Sequence, residues 1–379
     1  MTVLTRLLSL LACLSLNLRA EFTHPGIMHS AEGIAFVQKK LATGEEPWKT
    51  AWKELQESRY ADPGWQPQPF PHVQRGPSNN PDIGSSEFTN DGRAAYTHAL
   101  QWALSGKEAH AQKAAQILDA WSGTLKKISH HDARLLIGMS GLNYITAAEL
   151  LRHHQGGLKG WPQERQERFE KMLRQVWYPV IQDFYPSANG NWDAAMEQTM
   201  IAMGVFLDDQ TIFDRAKDYF LSGKGNGAIG MYFKPSGQCQ ETGRDQAHVQ
   251  MGLEFLANTA ETAWIQGLDL YRTLDNRLLK GFEYTAKYNL GHEVPYEPYK
   301  SFEGRYHYKR ISDKARGRRH NIYEKILNHY QHRRGLEAPF TQQAAEKNRP
   351  ESRRRCFVPW CTLMFYQQPF PKAGKNTTP

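Results

Sequence analysis

The chain has 379 residues, of which 40% are hydrophobic and 12% aromatic, and it carries a formal net charge of +8 at pH 7. This composition excludes an intrinsically disordered protein, and the length suffices for one large domain or two smaller ones. After the N-terminus, no apolar run reaches the roughly 18 residues that a transmembrane helix needs, so we expect no membrane span. The basic excess suits a polyanionic partner, or else it is a surface property without function. Much of it lies in Lys309–Arg319, Arg333–Arg334 and Arg353–Arg355, which we predict to be solvated C-terminal loops and not catalytic residues. Nucleic acid is a weaker candidate, because no nucleic-acid-binding motif is recognisable.

Residues 1–20 (MTVLTRLLSLLACLSLNLRA) have the pattern of a secretory signal peptide, with one arginine before a leucine-rich stretch that ends in a small residue. We therefore expect cleavage after Ala20, a secreted or periplasmic location, and one domain over residues 21–379. The run that ends at Cys13 also has the pattern of a lipid-attachment signal, which leaves a lipid anchor open. The mature chain would keep three cysteines, Cys239, Cys356 and Cys361. They allow one disulfide at most, whose partners the sequence does not fix.

Helical periodicity dominates the rest of the chain, with apolar residues at three- and four-residue steps. In chain order, we predict an irregular stretch over 60–90, helices over 114–125, 134–154, 163–184, 192–207 and 211–221, a helix from residue 244 onward, a second irregular stretch over 291–317, and a helix over 322–330. Many helices with short connections bury their apolar faces best as antiparallel pairs around a common axis. The predicted fold is therefore all-α, an α/α toroid or incomplete α/α barrel. Long irregular stretches in a compact domain are often functional, so these two could act as lids.

The segment PSGQCQETGRDQAHVQ is the most informative one for chemistry. In the helix predicted from Arg244 onward, Arg244 and His248 are four residues apart and share one face. Gly252, one turn further, would leave room beside the imidazole for a substrate. The alternative is structural: Arg244 pairs with a carboxylate, and His248 is a partly buried histidine with its hydrogen bonds satisfied.

A second polar segment, ANGNWDAA, precedes the helix predicted over 192–207. Asn191 could cap that helix, and Trp192 could be a core residue. Two asparagines beside a tryptophan are also what a site for an acidic sugar would use, with Trp192 as a stacking platform.

The segments ANGNWDAAMEQTMIAMGVFLDD, PSGQCQETGRDQAHVQMGLEFL, WIQGLDLY and LLKGFEYTAKYNLG together resemble the alginate lyase domain superfamily. The resemblance covers a core of about 90–300 and leaves a basic C-terminal part, 301–379. It implies an α/α toroid, an acidic polysaccharide substrate cleaved without a cofactor, and a lyase activity. The Asn-Asn-His triplet of the classical periplasmic alginate lyases is replaced here by Asn189-Gly190-Asn191. This difference indicates a sister family, in which alginate is the first candidate substrate and glucuronan the second.

Cleavage of a 4-linked uronate by β-elimination needs a group that neutralises the C6 carboxylate, a base for the C5 proton and an acid for the departing O4. We assign neutralisation to Asn191 with Arg244, and proton transfer to His248 with a tyrosine. Tyr299 is the preferred tyrosine and Tyr296 the second choice, because both follow the family-like run YTAKYNLG.

Further residues are predicted to contact the substrate without taking part in the chemistry. They are Asn189, Trp192, Gln240, Tyr296, His98, Arg93 and Arg305.

Two other functional classes remain open. A protein that binds acidic polysaccharides without cutting them would share the charge and the aromatic residues. A metal-dependent glycan hydrolase would need a ligand set, and the histidine clusters at 130–131 and at 329 and 332 lack a third ligand at a recognised spacing. We therefore predict no metal.

Overall fold

The computed structural model describes residues 21–318, 320–350 and 356–371. The predicted signal peptide, Cys13 and the basic run Arg353–Arg355 lie outside the described residues. Within the described part, no helix combines the length and the apolar character that crossing a lipid bilayer requires.

Helices make up most of the described chain. The α-helices are α1 (Ala31–Thr43), α2 (Trp48–Gln56), α3 (Ser85–Ser105), α4 (Glu108–Thr124), α5 (Ala133–His153), α6 (Gln163–Met172), α7 (Tyr178–Ile181), α8 (Asn191–Phe206), α9 (Gln210–Ser222), α10 (Ile229–Tyr232), α11 (Gln246–Ile265), α12 (Thr273–Asn289), α13 (Tyr323–Leu327), α14 (Pro339–Glu346) and α15 (Cys361–Phe365). A π-helical turn, Leu173–Trp177, joins α6 to α7, and another, Asn328–Arg333, extends α13.

The strands are short and lie at the edges of the helical body. They are β1 (His72–Arg75), β2 (Asp82–Ile83), β3 (Lys127–Ser129), β4 (Tyr299–Lys300) and β5 (His307–Tyr308). Strand β1 is central in the first sheet, antiparallel to β2 and parallel to β3. Strands β4 and β5 form an antiparallel hairpin.

Four helices, α3, α5, α8 and α11, stand side by side as an inner layer, each packed against the next. They are buried on almost every face, whereas the amphipathic helices α4, α9 and α12 pack outside them. Helix α1 packs against both α3 and α15, and α15 packs against α13, so these three continue the ring. This arrangement confirms the predicted α/α toroid.

Small and polar residues set the contacts between inner helices. A Cβ on Gly138 of α5 would lie 2.7 Å from the carbonyl carbon of Ala195 in α8, so only glycine permits this approach. The Gln198 amide donates to the Gly138 carbonyl (2.7 Å) and accepts from Asn258 of α11 (2.8 Å). Successive contacts advance in the same direction along the three helices: Gly138 and then Gly141 of α5 meet Ala195 and then Thr199 of α8. Likewise, Asn191 and then Gln198 of α8 meet Met251 and then Asn258 of α11. The N-terminal ends of α5, α8 and α11 therefore lie at one end of the toroid.

The predicted helices over 134–154, 192–207 and 211–221 are confirmed to within two residues at each end. The predicted helix over 163–184 contains a π-helical turn and ends at Ile181. The irregular stretch over 60–90 is shorter than predicted, because α3 already begins at Ser85 and the stretch contributes β1 and β2. The second irregular stretch contains the β4–β5 hairpin.

The basic pair Arg333–Arg334, predicted from its charge to be solvated, is not. The Arg333 side chain is 3% exposed and forms two parallel hydrogen bonds to the Glu261 carboxylate, each 3.0 Å long. Arg334 pairs with the buried Asp269 carboxylate at 2.6 Å. The prediction failed because counting charge along the chain cannot show which buried carboxylates face a basic residue.

We expect Arg333→Met to lower the free energy of unfolding by about 3–5 kcal/mol, because it leaves the buried Glu261 carboxylate without its cation. The matched control is Arg165→Met: the Arg165 side chain is 47% exposed and its partner Asp119 keeps Arg168 as a second cation, so its loss should cost at most about 1 kcal/mol. Urea unfolding of both variants measures the difference. Equal losses would show that the buried pair has no special role.

Candidate active site

Two polar turns meet at the N-terminal ends of α8 and α11. The Gly190 amide donates to Gln240 Oε1 (2.9 Å), and the Asn191 amide donates to Glu241 Oε2 (3.0 Å). These amides belong to the first turn of α8, where backbone N–H groups have no partner inside the helix. The turn before α11 therefore caps α8, and it brings the two predicted motifs into direct contact.

Glu241 is fully buried and is the centre of this contact. Besides the Asn191 amide, it accepts from the Tyr232 hydroxyl (3.0 Å) and from Arg244 Nη1 (2.6 Å). A Cβ at Gly252 would lie 2.0 Å from the Tyr232 hydroxyl. Gly252 therefore makes room for Tyr232 and not for a substrate, which corrects the sequence interpretation.

Arg244 and His248 are in contact, although not as two residues of one helix. Helix α11 begins at Gln246, so Arg244 lies in the preceding turn. Its Nη2 donates to His248 Nε2 at 3.1 Å. The Arg244 side chain is 27% exposed and the His248 side chain 33% exposed, so both reach solvent.

Asp245 fixes the orientation of His248. As the N-cap of α11 it accepts from the His248 amide (2.8 Å), and its other oxygen accepts from His248 Nδ1 (2.7 Å). Burial alone would raise the pKa of Asp245, but the hydrogen bonds from His248 lower it to about 2. The carboxylate is therefore ionised at neutral pH and can only accept, which places a proton on Nδ1 and leaves the Nε2 lone pair facing Arg244.

The β4–β5 hairpin brings a tyrosine to this cluster. Tyr299 and Tyr308 lie directly opposite each other in the hairpin. The Tyr308 hydroxyl donates to Asn189 Oδ1 at 3.1 Å, whereas the Tyr299 hydroxyl donates to the Met231 carbonyl. Tyr296 donates to the Tyr308 carbonyl (2.8 Å). Among the three tyrosines, Tyr308 is therefore the one whose hydroxyl donates to a polar side chain of the site. The sequence interpretation did not identify it.

Burial and the nearby Glu241 charge raise the pKa of Tyr308 to about 12, although the Arg244 charge opposes them. Glu241 and Arg244 thus affect the pKa of Tyr308 and also form the hydrogen bonds of the turn before α11. Tyr308 is a neutral phenol at pH 7.

Asn189 and Asn191 differ in the hydrogen bonds that their side-chain amides can donate to a ligand. Asn191 is 1% exposed, and its amide nitrogen contacts Met251 Sδ at 3.3 Å. Asn189 Oδ1 accepts from both Tyr308 and Gln240 Nε2, the latter at 3.0 Å. Within the described part of the chain, no acceptor takes a hydrogen bond from Asn189 Nδ2. Asn189 thus presents its two amide protons at the cluster, whereas Asn191 is enclosed below it.

An aromatic and basic surface adjoins the cluster. The Trp192 ring packs edge-on against His131 (5.1 Å between centroids) and Tyr185 (5.7 Å). Arg305, from the hairpin turn, donates to the Tyr185 hydroxyl (2.9 Å), and Arg134 lies 5.6 Å from the Tyr185 ring centre. The predicted contact residues Trp192 and Arg305 are thus brought together. Arg134 and Tyr185 were missed, because neither lies in a distinctive motif.

The structure does not bring His98 or Arg93 to this cluster. His98 is fully buried, with one ring nitrogen at 3.0 Å from His110 and the other at 3.2 Å from the Asp62 carbonyl. It has no face open to a substrate, so we leave it out of the proposed site. Arg93 instead donates to the Cys356 carbonyl (3.1 Å).

The histidine clusters considered as metal ligands do not assemble into a metal site in the described residues. The His329 ring is buried and stacks on Tyr271 at 3.7 Å, and His131 Nδ1 is bonded to Asp132 at 2.7 Å. Neither belongs to a group of three potential ligands within the described ranges.

The positive ends of α5, α8 and α11 all point toward the candidate site, and helix N-termini favour negative charge. Together with Arg244, Arg305 and Arg134, they make this end of the toroid suitable for an anionic ligand.

The sequence profile of the alginate lyase family matches residues 37–294, more than half of the chain. Among solved structures, an alginate lyase from Bacteroides ovatus is 13% identical with a TM-score of 0.62, covering 90% of this chain and 99% of that one. Alginate lyase A1-III from Sphingomonas species A1 is 15% identical with a TM-score of 0.64, covering 90% and 98%.

A histidine-to-alanine variant of alginate lyase A1-III, complexed with a tetrasaccharide, is 16% identical with a TM-score of 0.61, covering 90% and 97%. No curated protein sequence matches the chain. At these identities the solved structures establish a shared fold, and the match to the family profile establishes membership of the family. The chain belongs to the alginate lyase family and is a polysaccharide lyase.

Proposed function

We propose that this protein cleaves alginate by β-elimination and leaves a 4,5-unsaturated uronate at the new end. The observation that carries the proposal is the convergence of Asn189, Arg244, His248 and Tyr308 around the buried Glu241 carboxylate. Alginate is preferred over glucuronan because the family and the matching structures are alginate lyases. Residues 21–379 would act as one unit outside the cytosol, since the leader pattern directs the chain to export.

Arg244 and Asn189 are the proposed neutralisers of the C6 carboxylate. Their N–H groups can hydrogen-bond the negative charge that develops when C5 loses its proton, and neither side chain can take that proton at neutral pH. Asn189 replaces the earlier choice of Asn191, whose enclosed amide faces Met251. Asn191 keeps a positioning role through its backbone amide on Glu241.

His248 is the proposed base. Its Nδ1 proton is held by Asp245, and the Nε2 lone pair accepts from Arg244 in the substrate-free structure. When the substrate carboxylate takes over the Arg244 guanidinium, that lone pair becomes available to the C5 proton. Transfer of the C5 proton to Nε2 would form an imidazolium ion, which the ionised Asp245 carboxylate stabilises. The electron pair of the C5–H bond becomes the C4–C5 double bond as the C4–O4 bond breaks.

Tyr308 is the proposed acid, in place of Tyr299. A phenol with a pKa of about 12 still carries its proton at pH 7 and can give it to the departing O4 oxygen. The Tyr299 hydroxyl already donates to the backbone carbonyl of Met231 in α10. Gln240 orients Asn189, while Trp192, Tyr185 and Arg305 would contact neighbouring sugar units.

We expect Tyr308→Phe to lower kcat by about 10²–10⁴-fold with little change in KM, because the ring stays and only the proton donor is lost. Tyr299→Phe is the matched control on the opposite strand and should turn over like the parent. The ultraviolet absorbance of the unsaturated product measures both. The reverse pattern would return the assignment to Tyr299.

Asp245→Asn should lower kcat by about 10²-fold or more, because an amide neither stabilises the imidazolium ion nor enforces the required His248 tautomer. Asparagine caps helices as well as aspartate does, so stability should be retained. Asp245→Ala should lose the same activity and, in addition, about 0.5–2 kcal/mol of unfolding free energy. Full activity in the asparagine variant would remove His248 from the role of base.

Incubation with polymannuronate, polyguluronate and glucuronan tests the reaction and the substrate together. The absorbance of unsaturated uronate should rise with at least one of the two alginate blocks and more slowly with glucuronan. Hydrolysis produces no such absorbance, so the signal also excludes a hydrolase. Binding of these polymers without any product would identify a non-catalytic binding protein.

A further inference from the structure

A group of three potential metal ligands lies far from the candidate active site, where the first described residues meet the end of α5. His24, Glu149 and His153 each offer one ligand atom, and these atoms lie within 4.8 Å of one another. The two imidazole rings stack with their centroids 4.1 Å apart.

The Glu149 carboxylate is fully buried, and its two oxygens differ. Oε1 accepts from His24 Nδ1 (2.7 Å) and from the Gly26 amide (2.9 Å). Oε2 has no hydrogen-bond partner, and it lies 3.8 Å from His153 Nε2, a buried nitrogen that also has none. Buried polar atoms without partners are costly and rare, so two of them facing each other indicate that a bound group normally lies between them.

Two imidazoles and one carboxylate form a ligand set that zinc uses, with a water molecule as the fourth ligand. The surroundings fit as well. His24 Nε2 lies 3.2 Å from Asp208 Oδ1, which matches the carboxylate that commonly accepts the second ring N–H of a metal-bound histidine. An ordinary ion pair between His24 and Glu149 would account for the hydrogen bonds of Glu149 Oε1. It would not account for the burial of Glu149 Oε2 and His153 Nε2 without hydrogen-bond partners.

We propose that His24, Glu149 and His153 bind a divalent transition metal ion, zinc by preference, with Asp208 orienting His24. The ion would tie the N-terminal segment to the end of α5 and to the turn between α8 and α9, which contains Asp208.

This site lies at the opposite end of α8 from the candidate active site. Asp208 follows the last residue of α8, Asn189 precedes the first, and a helix of 16 residues is about 24 Å long. The ion would therefore stabilise the fold without touching the substrate, and the inference does not depend on the proposed reaction.

Zinc titration by calorimetry tests the site, with tag-free protein that has been dialysed against a chelator. The parent should take up one zinc ion per chain, and its Tm should rise by about 5 °C at a zinc concentration near one hundred times Kd. His24→Ala and His153→Ala should abolish both effects. His292→Ala, which removes an exposed histidine elsewhere, should bind zinc like the parent.

Asp208→Asn keeps the proposal testable if the histidine variants fail to fold. The Asp208 side chain is 65% exposed, so its replacement should not disturb the fold. It should weaken zinc binding by about 10–100-fold. No zinc uptake by the parent, or parent-like affinity in both His24→Ala and His153→Ala, would overturn the proposal. Lyase activity, measured on the same samples, is expected to change little.

Discussion

The buried carboxylate of Glu241 is the interaction on which the candidate site depends. It accepts from the first backbone amide of α8, from Tyr232 and from Arg244, and it is sealed from water. An ionised group in such a position is tolerated only when its hydrogen bonds are complete and a cation is adjacent. Those requirements fix α8 relative to the turn before α11, and they hold Arg244 where it meets His248. The geometry of the candidate site thus follows from satisfying the hydrogen bonds of one buried carboxylate.

The helices of the toroid add a longer-range electrostatic attraction for an anion. Because its inner helices run in the same direction, the positive ends of α5, α8 and α11 accumulate at one end of the molecule. The basic side chains Arg134, Arg244 and Arg305 lie at that end too. This end of the molecule therefore favours a polyanion at the same place where Glu241 positions the proposed proton-transfer groups. The fold supplies the attraction, and the local hydrogen bonds supply the chemistry.

The helices and the toroid could be predicted because burying one apolar face imposes a period that the sequence displays. The site was predictable at the level of segments, since polar residues crowd the starts of α8 and α11. The choice between Tyr299 and Tyr308 was not, because it depends on which acceptor outside the hairpin each hydroxyl meets, the Met231 carbonyl or the Asn189 side chain. The same holds for Arg333, whose partner Glu261 is distant in sequence. Pairing across the fold is decided by packing, which periodicity does not encode.

Side chains of opposite charge stabilise the two ends of helix α8. The backbone amide of Asn191 at its start donates to the Glu241 carboxylate, and the carbonyls at its end accept from arginines: Phe206 from Arg152 (3.1 Å) and the following Leu207 from Arg174 (3.3 Å). An anion at the start and cations at the end both oppose the helix dipole, so each stabilises the same element. The proposed zinc site lies beside the second of these ends. The ion and the substrate would therefore act at opposite ends of one helix of about 24 Å, and this separation is why loss of the ion is expected to leave lyase activity nearly unchanged.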